Sequence, residues 1–110
     1  MLNENNIDTI AQHVGNILSS SFTPELRSMA RGSEWPARAA YDMEINYVNG
    51  NLDLQYSQEM AEEIENLEYG DINSLPRSVI RPFIYSAQPK IEEAYEVHAL
   101  DLLFMEGGVI

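Results

Sequence analysis

The chain contains no cysteine, and only six Lys and Arg residues stand against eighteen Asp and Glu. The first absence removes disulfides and thiolate metal ligands, and it suits a reducing compartment. The second removes the basic footprint needed to hold a phosphate backbone, and a net charge of −12 repels one. No apolar run reaches the roughly 18 residues of a membrane-spanning helix. The start, MLNENNIDT, is polar and acidic and lacks the basic and apolar regions of a secretory signal. Histidine is scarce too, with only His13 and His98. What remains is 110 residues with 45% hydrophobic content, enough for one core and one domain over residues 1–110. The acidic surplus leaves three roles open: a solubility device, a surface that meets a basic partner, or a wall past which nucleic acid slides without sticking.

Ile7, Ile10, Val14, Ile17 and Leu18 recur at steps of three and four, which predicts a first helix over Ile7–Ser20, weakened slightly by Gly15 and ended by the serines at 19–21. Thr23-Pro24-Glu25 carries the signals of a fresh helix start. Gly32 and Pro36 keep that second segment short. The clearest local pattern is AYDMEINYVNGNLDLQYS. Asn49-Gly50 suits a two-residue turn whose central residues need positive φ. Pairing outward from it sets Tyr47 against Leu52 and Ile45 against Leu54, with Asn46 against Asp53 and Glu44 against Gln55 on the other face. Turn chemistry and alternation agree on this register, which makes one face core and the other wet and acidic.

Met60, Ile64 and Leu67 return to helical spacing, and a short helix that becomes strand-like near Tyr69 is expected before Gly70. A long helix follows from about Pro82 to Met105, kinked or restarted at Pro89. The elements sum to an α+β fold: an N-terminal helix, a small sheet built on an antiparallel hairpin, a short helix and a long C-terminal helix. Two strands alone are marginal. A third strand, around Leu67–Gly70 or Ala30–Arg38, or a second subunit is therefore expected beside them.

The residues make no enzymatic case. His98 and Asp101 lie three apart on a helix and could touch, but His13 is the only other imidazole that could complete a metal site, and such pairs arise freely on acidic helices. Glu62, Glu63, Glu65 and Glu68 read as a solvated face rather than as paired acids in contrasting environments. Phosphate-binding glycine loops, nucleophile elbows and zinc helices are missing. No catalytic residue, cofactor or metal is expected. Trp35 reads either as an exposed anchor or as an aromatic covering the core. Arg77 and Arg81 flank the Pro76–Pro82 loop and could bridge to carboxylates of the same chain or of an identical neighbour. Trp35, Tyr69, Arg77, Arg81 and Phe83 are the candidate contacts to a subunit or partner.

Leu67-Glu68-Tyr69-Gly70, a short loop, Pro76, Ile80-Arg81-Pro82-Phe83 and a closing helix together resemble the neck or tail-completion proteins of long-tailed bacteriophages. Those carry a V-E-Y-G-T step before a P-x-x-P-F-L-R-P-A segment. Upstream, Thr23, Leu26, Arg27, Ser28 and Met29 stand where the family has D-T-G-x-L-R-x-S-I, with Pro24 in place of its Gly. The resemblance implies a virion structural protein, made in the host cytoplasm. It also implies assembly with its own copies into a ring, six-fold in that family, at the head–tail junction. DNA would pass through the ring without sequence-specific binding, and connector proteins above and below would be the further partners. The acidic charge fits a second class equally well, a small inhibitor such as an immunity protein or a DNA mimic that binds a basic enzyme.

Overall fold

The computed structural model describes residues 4–48 and 50–105, with side-chain surroundings given for 9–48, 50–97 and Leu100. The elements in chain order are α1 (Glu4–Gly32), α2 (Ala37–Ala40), β1 (Glu44–Val48), β2 (Asn51–Gln55), α3 (Ala61–Tyr69) and α4 (Ile80–Met105). This is the expected α+β arrangement, with three local corrections.

The first correction is that α1 does not stop at the serines and restart at Pro24; it runs straight through. Ser20 and Ser21 donate their hydroxyls to the carbonyls of Ile17 and Leu18, a bonding that leaves the helix intact. Pro24 costs about 3 kcal/mol in a helix interior. Phe22 and Leu26, on either side of it, are both buried, and each contributes about 1.5–3 kcal/mol by that burial. Packing outweighs the proline. The buried stripe of α1 is Ile10, Val14, Leu18, Phe22, Leu26 and Ala30, none more than 6% exposed. A four-residue repeat advances about 40° around the helix at each step, so the stripe winds and meets different partners along its length. Phe22 meets Phe83 of α4 edge to face, with ring centroids 5.4 Å apart.

The hairpin has the expected register, Ile45↔Leu54 and Tyr47↔Leu52 on the inner face and Glu44↔Gln55 and Asn46↔Asp53 on the outer. Ile45 and Tyr47 are buried while Glu44 and Asp53 are exposed. Tyr47 packs against Tyr95 of α4, and burial together with that neighbour pushes its hydroxyl up to about 12.

The second correction is that β1 and β2 form the whole sheet among the described residues, with no third strand. The segment Leu67–Tyr69 is helix to its end. The free edge of β1 is sealed instead by side chains of α1. Thr23 Oγ1 accepts from Ile45 N (3.0 Å) and donates to Ile45 O (2.9 Å). Ser19 Oγ accepts from Tyr47 N at 2.9 Å, and Arg27 Nε donates to Met43 O at 2.8 Å. Each of these groups would cost about 1–3 kcal/mol if buried without a partner, so a helix face substitutes for the missing strand.

Gly15 belongs to the same row and explains itself there. A Cβ at position 15 would lie 2.9 Å from the carbonyl oxygen of Tyr47. Helix propensity alone favours Ala over Gly by about 1 kcal/mol. The contact is with main chain, which cannot swing aside, and Gly15→Ala is therefore expected to destabilise by about 1 kcal/mol or more in urea denaturation. A gain in stability would show that helix and strand do not approach this closely.

The third correction concerns α4, which begins at Ile80 rather than Pro82; of the two expectations at Pro89, a kink or a restart, the restart is ruled out because one helix runs through it. Pro89 deprives the Tyr85 carbonyl of its helical donor, but both residues lie on the exposed side, open to solvent.

Candidate interaction site at the α3–α4 junction

Along α3 the buried positions are Ile64 and Glu68, one helical repeat apart, while Glu62 and Glu65 are exposed. Glu68 was expected on the solvated face; instead it is 1% exposed. Its carboxylate accepts the backbone N–H groups of Val79 (2.8 Å), Ile80 (2.7 Å) and Arg81 (3.1 Å), and the Nε–H of Arg81 (2.9 Å). A helix leaves its first N–H groups without internal partners. Here three of them are taken by one side chain from another helix, Pro82 has none to satisfy, and the α4 ladder begins with Phe83 N to Val79 O at 2.9 Å. A carboxylate at a helix N-terminus also meets the positive end of the helix dipole. Burial by itself pushes the Glu68 carboxyl up, but the bonds from Val79, the Arg81 side chain, Ile80 and Arg81 N–H overcome it and hold the group below its usual 4.5.

Arg81 completes the clamp. Its guanidinium also donates to the Glu68 carbonyl (3.0 Å) and Ser78 Oγ (2.7 Å), and it lies 4.4 Å over the ring of Tyr69. Arg81 therefore bonds a carboxylate of its own chain. Gly70 follows with φ +80°, and the chain turns through Asp71–Ser74. Asp71 N donates to Ser74 O (3.0 Å) and Asn73 N donates to Asp71 Oδ1 (2.8 Å). Arg77 N then bonds Leu67 O at 2.7 Å, and Ser78 Oγ bonds Glu68 O at 2.7 Å. From the other side, Trp35 Nε1 donates to Arg77 O (2.7 Å), while the Arg77 guanidinium reaches Glu34 O (3.0 Å). The connector from 70 to 79 is thereby tied to α3, to α4 and to the loop after α1.

The five candidate contact residues divide accordingly. Trp35 and Phe83 are fully buried, Trp35 as the aromatic covering the core and Phe83 against Phe22, and so neither is offered to a partner. Arg77 and Arg81 are exposed at the surface but bonded within the chain, and Tyr69 is exposed beneath Arg81. The outward apolar residues here are ones that hydropathy did not single out: Ile72 (97% exposed), Leu75 (88%) and, on α4, Tyr85 (88%). Glu68 did have a signal, since Met60, Ile64 and Glu68 share one four-residue phase. Ile72 and Leu75 had none, because apolar residues in a loop read the same whether buried or not.

Among the described residues, no group of three or more His, Cys, Asp and Glu comes together to hold a metal ion. His13 is exposed, and the expected His98–Asp101 pair lies outside the described side chains, as the Val109–Ile110 tail lies outside the described residues. No described helix is long and apolar enough to cross a membrane. No family model, curated protein or solved structure matches this chain.

Proposed function

We propose that this chain is a non-enzymatic virion structural protein of a long-tailed bacteriophage, one subunit of an oligomeric ring at the head–tail junction through which DNA passes. The observation that carries the reading is the junction itself. The two segments on which the resemblance rests, Glu68-Tyr69-Gly70 and Arg81-Pro82-Phe83, are held together by the Glu68 carboxylate. The potentially reactive groups of that junction are consumed in fixing its shape, while apolar side chains point outward from it. Such a part is suited to docking rather than to chemistry. Acidic side chains along a lumen would let a phosphate backbone move past without being held.

The inhibitor reading requires acids crowded on one surface. Exposed acids lie on the hairpin (Glu44, Asp53) and on α4 (Glu92, Glu93, Glu96) as well as in and just before α3 (Glu59, Glu62, Glu65), so they are not confined to one element. The test is mass spectrometry and electron microscopy of virions from the phage that encodes the chain. The expected result is a fixed copy number at the neck, with unjoined heads and tails when the gene is deleted. Absence from virions, or intact particles without the gene, overturns the proposal.

A further inference from the structure

We infer that the Asp71–Ser74 turn, with Ile72 and Leu75 at its surface, is a docking knob for a different, cationic protein that offers an apolar cleft, and that it is not a contact between copies of this chain. The inference goes beyond the head–tail reading and does not depend on it.

The turn is built to be rigid. Asp71 and Ser74 bond each other through main chain, Asp71 Oδ1 accepts from Asn73 N, and Arg77 N anchors the exit to Leu67 O. Pro76 packs against Gly70 so closely that a Cβ there would lie 2.9 Å from the proline ring and from Ser74 O. Two large aliphatic side chains at 97% and 88% exposure are thus presented on a frame whose ordering cost is already met. The main chain on either side of the two is bonded in place at Asp71, Ser74 and Arg77.

The surroundings determine which partner fits. Beside Leu75 lies a hollow between the turn and α3, lined by Glu59, Glu62, Glu63, Asp71 and Arg77. Arg77 is its only cation, and Arg77 is bonded to Glu34 O. The same holds for every Lys and Arg in the chain. Arg38 bonds Glu63, Arg81 bonds Glu68 and Lys90 bonds Glu25; Arg27 and Arg31 bond the carbonyls of Met43 and Trp35. A second copy would bring a net charge of −12 to an acidic rim, and each of its six Lys and Arg residues already has a hydrogen-bond partner within its own chain. A partner that brings Lys and Arg around an apolar cleft satisfies both the rim and the knob.

The test uses two measurements on the full chain. In the first, sedimentation equilibrium compares the wild type with the Ile72→Ser, Leu75→Ser double variant. Both side chains are exposed, so folding should be unaffected, and equal melting temperatures check this. The expected result is the same mass for both; a lower mass for the variant makes the turn a self-contact and overturns the inference. In the second, a random peptide display library is panned on the wild type and counter-selected on the double variant. Peptides that distinguish the two are expected to combine Lys or Arg with a large apolar residue. A synthetic peptide from that set should bind at least about tenfold more weakly to the double variant, and also to a Glu59→Lys, Glu62→Lys variant in which the turn is untouched. Raising the salt concentration should weaken it further. The inference fails if no peptide distinguishes the proteins, if the distinguishing peptides lack cations, or if reversing the two glutamates leaves binding unchanged.

Discussion

Replacing Glu68 with alanine is expected to cost the fold about 3–5 kcal/mol, a large share of the roughly 5–15 kcal/mol that holds a domain of this size together. The replacement strips the acceptor from the N–H groups of Val79, Ile80 and Arg81 at once, and each such group costs about 1–3 kcal/mol when buried without a partner. The loss of the ion pair itself counts for little, because the Arg81 side chain is 54% exposed and water can solvate it. Glu68→Gln keeps one acceptor oxygen and the volume, and should cost about 2 kcal/mol. The glutamine variant also isolates a pH effect. The folded-state carboxyl titrates below its usual 4.5. The stability it contributes is therefore fully present above that value and is lost as pH falls through the lower, folded-state value. The difference in unfolding free energy between wild type and Glu68→Gln, measured in urea, should be largest near neutrality and shrink in acid. The difference is the proper readout, because protonating the other carboxylates of a chain with net charge −12 relieves repulsion in both proteins alike. A gap that is constant across pH would mean that Glu68 is not the ionised cap.

Gly70→Ala is expected to cost at least about 3 kcal/mol, for two reasons that add. At φ +80° and ψ 171° a residue with a Cβ is strained by about 1–3 kcal/mol. The new methyl would also stand 2.9 Å from the Cδ and N of Pro76 and from Ser74 O, so relief requires opening the Asp71–Ser74 turn. That turn is linked onward to Trp35, whose Nε1 donates to Arg77 O. Trp35 is the only tryptophan in the chain and is fully buried. The variant should show a red-shifted fluorescence maximum along with its lower melting temperature. An unshifted spectrum at near-wild-type stability would sink the view that the connector is rigid.

The limits of legibility are clearest where neighbouring residues gave opposite results. Asn49-Gly50 and the alternation around it announce the hairpin, because a two-residue turn and a period of two are both local properties. The apolar stripe of α1 from Ile10 to Leu18 is visible for the same reason. At Ser20–Pro24 the local signals point to a break, yet Phe22 and Leu26 are buried and the helix continues. At Glu68 the four-residue phase of Met60 and Ile64 points inward while the charge points outward. Only the start of α4, eleven or more residues away, supplies the donors that settle the conflict. The expectation of a third strand or a second subunit was sound in its physics, because the edge of β1 did need partners. Ser19, Thr23 and Arg27 fill that role from a helix, which no pattern in the chain displays.

By itself the sequence determined the α+β class, the hairpin and its register, the acidic surplus, and the lack of basic footprint and thiol chemistry. All of these follow from residue counts or from periods shorter than one turn of chain. Tertiary structure alone decided that α1 passes through its proline, that a glutamate is buried as the cap of another helix, that Trp35 and Phe83 belong to the core, and that Ile72 and Leu75 stand in solvent. Each of those outcomes depends on a partner contributed by a distant segment. Burial and hydrogen bonds to such partners are worth several kcal/mol, more than the local propensities they override.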